Sequence, residues 1–157
     1  MMIKEGRYFV KREEPFVIFM LGMRIHNLWN VGKWAQVYRL IPPMLEELEA
    51  GGAPGYLGSI YKVSFREPLI IQYWNSVEEL HTYSKAKDKL HVPVWKTFNQ
   101  QVGKSKDIGI WHETYTIEPS AHENIYVNMP PKGLGQFSPL ISLEKKRRNY
   151  KERFKQS

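Results

Sequence analysis

Two stretches of this chain leave no polar side for water. Phe16-Val17-Ile18-Phe19-Met20-Leu21-Gly22-Met23 is apolar at every position except its glycine, and Leu69-Ile70-Ile71 repeats the pattern in a shorter run. Both fall short of the roughly 18 apolar residues that a membrane helix requires. The β-formers in the first run, its length and the preceding Pro15 predict a strand rather than a helix. Successive side chains of a strand point to opposite faces. A strand that is apolar throughout must therefore be covered on both sides, which restricts the fold to a sheet packed on two faces.

The remaining elements follow from local pattern. Gly6 to Lys11 alternates briefly and predicts an edge strand. Lys33 to Ala50 predicts a helix with Trp34, Val37, Leu40 and Ile41 on one face, continued by Met44, Leu45 and Leu48. Pro42-Pro43 is expected to break or kink it, and Gly51-Gly52 to end it. Tyr56–Phe65 and Leu69–Trp74 predict two strands joined across the turn Arg66-Glu67-Pro68. Ser76 and Glu79 form the spacing of a capping box, so a helix starts there. Pro93 suits the first turn of a further helical piece to Gln101. Ile108–Ile117 predicts a last strand, stopped by Pro119.

This order is β-α-β-β-α-β, the ferredoxin-like α+β arrangement. Two helices cover one face of a four-stranded sheet, so the apolar second face needs another partner. A second copy of the same sheet, related by two-fold symmetry, is the simplest candidate and predicts a homodimer. The alternative cover is the Pro- and Gly-rich arm after Pro119. Residues 1–140 are expected to form one domain that includes this arm, and residues 141–157 a basic tail.

The net charge of +7 raises the question of nucleic acid. Most of it sits in the tail, where Lys145, Lys146, Arg147, Arg148, Lys151, Arg153 and Lys155 outnumber Glu144 and Glu152. The rest of the chain is close to neutral, so the charge describes a solvated tail rather than a nucleic-acid-binding domain. There is no cysteine, which excludes disulfides and thiolate chemistry. Met1 to Arg12 lacks the apolar stretch of a secretory signal, and a cytoplasmic protein with no membrane partner is the expectation.

Standard catalytic motifs are excluded in turn. His112-Glu113 opens like a zinc-protease motif, but Thr116 stands where the second histidine belongs. Gly133-Leu134-Gly135 has Ser138 in place of a third glycine, and Gly32-Lys33 is followed by Trp34 with Asn27 where a P-loop opens on glycine. No Gly-x-Ser-x-Gly elbow occurs. What remains is a constellation of candidates. Arg24, His91, His112 and Glu113 are the candidate catalytic groups, and Gln72, Trp74, Trp95, Trp111 and Tyr115 the candidate pocket walls. Neutral imidazole can move protons near pH 7 or bind haem iron. Each candidate also has a plain structural role: a packed or surface histidine, a core tryptophan, or an Arg24 ion pair with a partner such as Glu113.

Several segments together resemble a known family. These are Gly22-Met23-Arg24-Ile25, Lys33-Trp34, Gln72-Tyr73-Trp74-Asn75-Ser76, His91-Val92-Pro93-Val94-Trp95, Val102-Gly103, Gly109 to Tyr115, and Tyr126 to Pro130 followed by Gly133-Leu134. The family is the bacterial and fungal group of "monooxygenase family proteins", similar in turn to the dimeric α+β barrel superfamily. That superfamily includes cofactor-free antibiotic-biosynthesis monooxygenases, haem-degrading enzymes, and relatives of chlorite dismutase and aldoxime dehydratase. The resemblance implies an oxidoreductase of monooxygenase type acting on a small hydrophobic or aromatic molecule. It leaves open a cofactor-free enzyme, a haem enzyme with His91 or His112 as axial ligand, and a non-catalytic dimer that binds a ligand.

Overall fold

The computed structural model describes residues 2–86, 92, 96, 100 and 106–143. Nine segments organise them: β1 (Lys4–Val10), β2 (Phe16–Ile25), α1 (Val31–Glu47), β3 (Tyr56–Lys62), β4 (Leu69–Trp74), α2 (Val77–Lys85), β5 (Ile108–Ile117), β6 (Tyr126–Met129) and β7 (Leu140–Ser142). The main sheet is antiparallel with strand order β3-β4-β2-β5. With α1 and α2 on one face, this is the ferredoxin-like α+β fold that the element order predicts.

Strand β2, apolar from Phe16 to Met23 and ending in Arg24-Ile25, takes the central position, paired with β4 on one side and β5 on the other. Its odd-numbered residues face the helices. Val17 packs with Leu48, Trp74, Leu80 and Tyr83, while Met23 and Ile25 pack with Val37. Each fully buried aliphatic side chain of this kind contributes about 1.5–3 kcal/mol. Ser76 caps α2 as the sequence predicts: its hydroxyl accepts from the Glu79 backbone N–H at 3.2 Å and donates to the Glu79 carboxylate at 3.2 Å.

Two expectations are corrected here. Helix α1 runs through Pro42 and Pro43 without a break. Both prolines lie on its exposed side, where water can take the freed carbonyls, while Val37, Ile41, Met44 and Leu45 hold the opposite face in the core. Gly51, with φ of 85°, supplies the left-handed turn that ends the helical run. Strand β1 is not an edge strand. It is the middle strand of a second, three-stranded sheet of order β6-β1-β7, whose outer strands come from the C-terminal arm. That sheet continues to Ser142, past the expected boundary at residue 140. Of the helical piece expected at 93–101, only Lys96 and Gln100 fall among the described residues, and both are helical. The tail from residue 144 lies outside them.

The arm covers much of the second face of the main sheet. Leu134, Phe137 and Leu140 of the arm, with Val10 of β1, pack on Phe16, Ile18, Ile60, Ile71, Tyr73 and Ile117. The side chains of Met20, Trp111, Glu113 and Tyr115 also belong to this face, in register with one another (Gly22↔Trp111, Met20↔Glu113, Ile18↔Tyr115). Trp111 and Tyr115 remain 43% and 46% exposed. The apolar second face is thus divided between the arm and an uncovered strip.

Candidate functional site

The described residues among those singled out from sequence do not converge on one cavity. Gln72 and Trp74 lie on the helix face of β4, in the core. Trp74 is fully buried, donates its indole N–H to the Gln72 side-chain oxygen at 3.0 Å, and packs against the rings of Tyr56 and Tyr83. Arg24 is exposed and pairs with Glu67 rather than with Glu113. His112 is exposed on β5 with its ring 5.8 Å from that of Phe19. Glu113, also exposed, accepts a 2.7 Å hydrogen bond from the Tyr115 hydroxyl, and this bond raises the Tyr115 pKa. The Trp111 indole lies across Gly22, where any Cβ would collide with it. His91 and Trp95 lie outside the described residues.

A different set of residues does converge. A cleft of ≈ 370 Å³ opens between the main sheet and the arm. Phe16, Ile18 and Tyr73 form its floor, and His122, Tyr126, Lys132 and Leu134 come from the arm. The size lies within the ~300–1,000 Å³ range of small-molecule sites, and the walls are mostly apolar with a few polar groups, as such sites require. A second void of ≈ 40 Å³ under α1 is lined by Leu21, Val37, Ile41, Met44 and Ile70, without a polar side chain.

The polar groups of the cleft are set by the arm backbone. Tyr126 accepts from the Gly135 backbone N–H at 3.0 Å, which leaves its own proton available to another acceptor. Burial raises the pKa of both phenols; at Tyr73 the nearby Tyr126 adds to the effect, while at Tyr126 the bond from Gly135 opposes it. Both are neutral donors near pH 7. Gly133, at φ of 54°, brings the backbone so close to Tyr73 that a Cβ there would sit 3.3 Å from its hydroxyl. Lys132 adds a cation to the lining.

His122 closes one wall. Its ring meets Phe16 edge-on at 5.3 Å and 89°. Both ring nitrogens are buried without a hydrogen-bond partner, leaning toward the Glu118 and Pro119 backbone without reaching bonding geometry. Burial lowers its pKa, with Arg12 adding to the effect, so the imidazole is neutral near pH 7. Sequence reasoning missed His122 and Lys132 because both stand in a Pro- and Gly-rich stretch without periodicity. The signal available was the doubly apolar β2: whatever covers its second face also walls any cavity there.

The sequence profile of the "Monooxygenase af470-like" family matches residues 16–134. The chain belongs to the monooxygenase af470-like family. Every residue lining the arm cleft, from Phe16 to Leu134, falls within this matched span. Among curated family relatives, "Monooxygenase af470" of Aspergillus fumigatus is 34% identical over 68 residues, which are 43% of this chain and 23% of that protein. The match therefore spans under a quarter of the relative's length. Among solved structures, the aldoxime dehydratase OxdRE in complex with butyraldoxime superposes with a TM-score of 0.72 at 13% identity, over 91% of this chain and 45% of that one. This likeness establishes a shared fold for the af470-like chain. SnoaB, a cofactor-independent oxygenase from Streptomyces nogalater, gives a TM-score of 0.45 at 10% identity over 66% of this chain and 93% of its own.

The described residues of this af470-like protein do not fit a haem. His112 and His26 are exposed and line neither cavity, and the cleft histidine, His122, keeps both nitrogens turned into the protein. Among the described residues no cluster of three or more His, Asp or Glu could hold a metal ion. No helix among them is long and apolar enough to cross a membrane.

Proposed function

We propose that this chain is a monooxygenase-type oxidoreductase that takes a small hydrophobic or aromatic molecule into the arm cleft. Membership of the monooxygenase af470-like family supports the reaction class. The observation that carries the location is the cleft itself: apolar walls from Phe16, Ile18 and Leu134, with two neutral phenols, Lys132, Glu123 and Asn124 for a polar substituent. In a cofactor-free reaction the carboxylate of Glu123, which lines the cleft, takes a proton from the substrate; the anion adds dioxygen, and the resulting hydroperoxide loses water, which leaves one oxygen atom in the oxidised product. Phe16, Ile18 and Leu134 hold the ring and exclude water. Tyr126 donates to the developing oxyanion and Lys132 balances its charge.

Oxygen uptake with a panel of phenolic and polycyclic aromatic compounds tests this reading. Ile18→Trp fills the cleft from its floor and is expected to lower kcat/KM by at least about tenfold, with the fold retained. An unchanged rate in Ile18→Trp would remove the cleft from the reading. Saturable ligand binding without oxygen uptake would assign the chain as a non-catalytic binding protein instead.

The uncovered strip of the second face supports a homodimer. Trp111, Glu113 and Tyr115 lie on it, and Met20 continues it on β2. Docking of a second copy there would convert these candidates from solvent-exposed side chains into the walls of an enclosed space between two sheets.

A further inference from the structure

One end of the molecule exposes aromatic side chains that neither the fold nor the cleft uses. Trp29, in the loop between β2 and α1, is 95% exposed, although tryptophan is ordinarily among the more buried residues. Val31 begins α1 beside it and is also exposed. Val63 and Phe65, in the loop between β3 and β4, are 71% and 67% exposed. The two loops are held at the same end. Ile25 N–H donates to the Arg66 carbonyl at 2.9 Å, the Tyr38 hydroxyl to the Ser64 carbonyl at 2.6 Å, and the Trp34 ring stands 5.8 Å from that of Phe65 while its N–H donates to the Leu28 carbonyl. A third loop joins them: Asp107 accepts from the side chains of Asn27, Asn30 and Lys33.

The charges around these loops are mostly positive. Lys62, Arg66 and Lys106 are exposed cations beside the aromatic loops, while the two nearby carboxylates, Glu67 and Asp107, are already paired with Arg24 and Lys33. Contiguous exposed apolar residues mark an interaction site. An aromatic tip rimmed by cations is the composition that enters the headgroup layer of an anionic bilayer. The same composition disfavours docking of this end on a second copy, since cations would face cations.

We propose that this end of the molecule is a peripheral docking surface for an anionic lipid bilayer, with Trp29 and Phe65 inserted at headgroup depth and Lys62 and Lys106 facing lipid phosphates. The attachment is interfacial and reversible, since four exposed apolar side chains, three of them on loops, are far from a spanning segment.

Co-sedimentation of the full chain with phosphatidylcholine vesicles, with and without phosphatidylserine, tests the assignment. The parent is expected to bind the mixed vesicles and not the neutral ones. The double variant Trp29→Ala/Phe65→Ala is expected to lose binding about tenfold or more, and Lys62→Gln and Lys106→Gln about fivefold each. All four side chains are exposed, so circular dichroism and thermal unfolding should match the parent. Parent-like binding by the aromatic variant would overturn the proposal and assign lipid contact to the basic tail. Absence of parent binding to either vesicle would overturn it as well. So would a change of oligomeric state in the aromatic variant by sedimentation velocity, which would make this end a contact between copies.

Discussion

One wall of the arm cleft is formed by a histidine, His122, whose buried ring nitrogens reach no hydrogen-bonding geometry. Buried imidazole without a partner costs stability whether charged or neutral, and more when charged. The folded-state pKa of His122 lies below its ordinary 6.5, because burial penalises the cation. As pH falls through 6.5, the unfolded chain takes up a proton at this site before the folded chain does. Stability contributed by neutral His122 is therefore fully present above that pH and declines as pH drops toward the lowered folded value. His122→Phe keeps the ring against Phe16 and removes both orphaned nitrogens. Its thermal midpoint is expected to equal or exceed that of the parent at pH 7.5, with a widening advantage between pH 6.5 and 5. Differential scanning fluorimetry across that range measures it, and a constant offset between the two proteins would mean that burial does not lower the His122 pKa in the folded state.

At the scale of elements, the core was readable from sequence because its signals are local. Ser76 and Glu79 cap α2 three residues apart, the α1 stripe recurs every three to four residues, and the ten residues of β5 match the stretch expected, from Ile108 to Ile117. The arm was not readable because its structure is made by contacts distant in sequence. Strands β6 and β7 have four and three residues, too few to show an alternation. Their pairing with β1 relies on asparagine side chains that complete the ladder. Asn124 accepts from Val10 N–H at 2.6 Å and donates to the Val10 carbonyl at 3.1 Å, and Asn128, at φ of 50°, accepts from Gly6 N–H at 2.8 Å. The candidate site was missed for the same reason, since most of its lining comes from this arm. Asn124→Ala leaves both backbone groups of Val10 without these partners, and Val10 is fully buried. The expected cost is about 1–3 kcal/mol. Hydrogen exchange should quicken at Val10 and across β6 and β7 while β2 and β4 keep their protection. Uniform acceleration across both sheets would mean that the arm and the main sheet open as one unit.

At the scale of the whole molecule, the question is what completes the second face of the sheet. Apolar residues on both faces of β2 from Phe16 to Met23 require cover on both sides, and the arm provides it over Phe16 and Ile18. Beyond them Trp111 and Tyr115 stay near half exposed on the strip that Met20 and Glu113 share. An isologous pair would bring the two strips together across a two-fold axis, and a stable pair buries about 1,600 Å² in total. The Tyr115 hydroxyl already holds Glu113, so this carboxylate can be enclosed with one of its hydrogen bonds in place. Trp111→Glu would set an additional carboxylate from each copy into the same space, where two unpaired charges cannot be desolvated together. In the monomer Trp111 is exposed, so the substitution should leave secondary structure and monomer folding intact. Sedimentation velocity at micromolar concentration is expected to give a dimer for the parent and a monomer for Trp111→Glu. A parent that stays monomeric at every concentration would mean that the arm alone satisfies the sheet, and that the strip is surface. If the pair dissociates in the variant and oxygen uptake falls with it, the enclosed space between the sheets is part of the reaction site. If uptake persists in the monomer, the arm cleft is sufficient by itself.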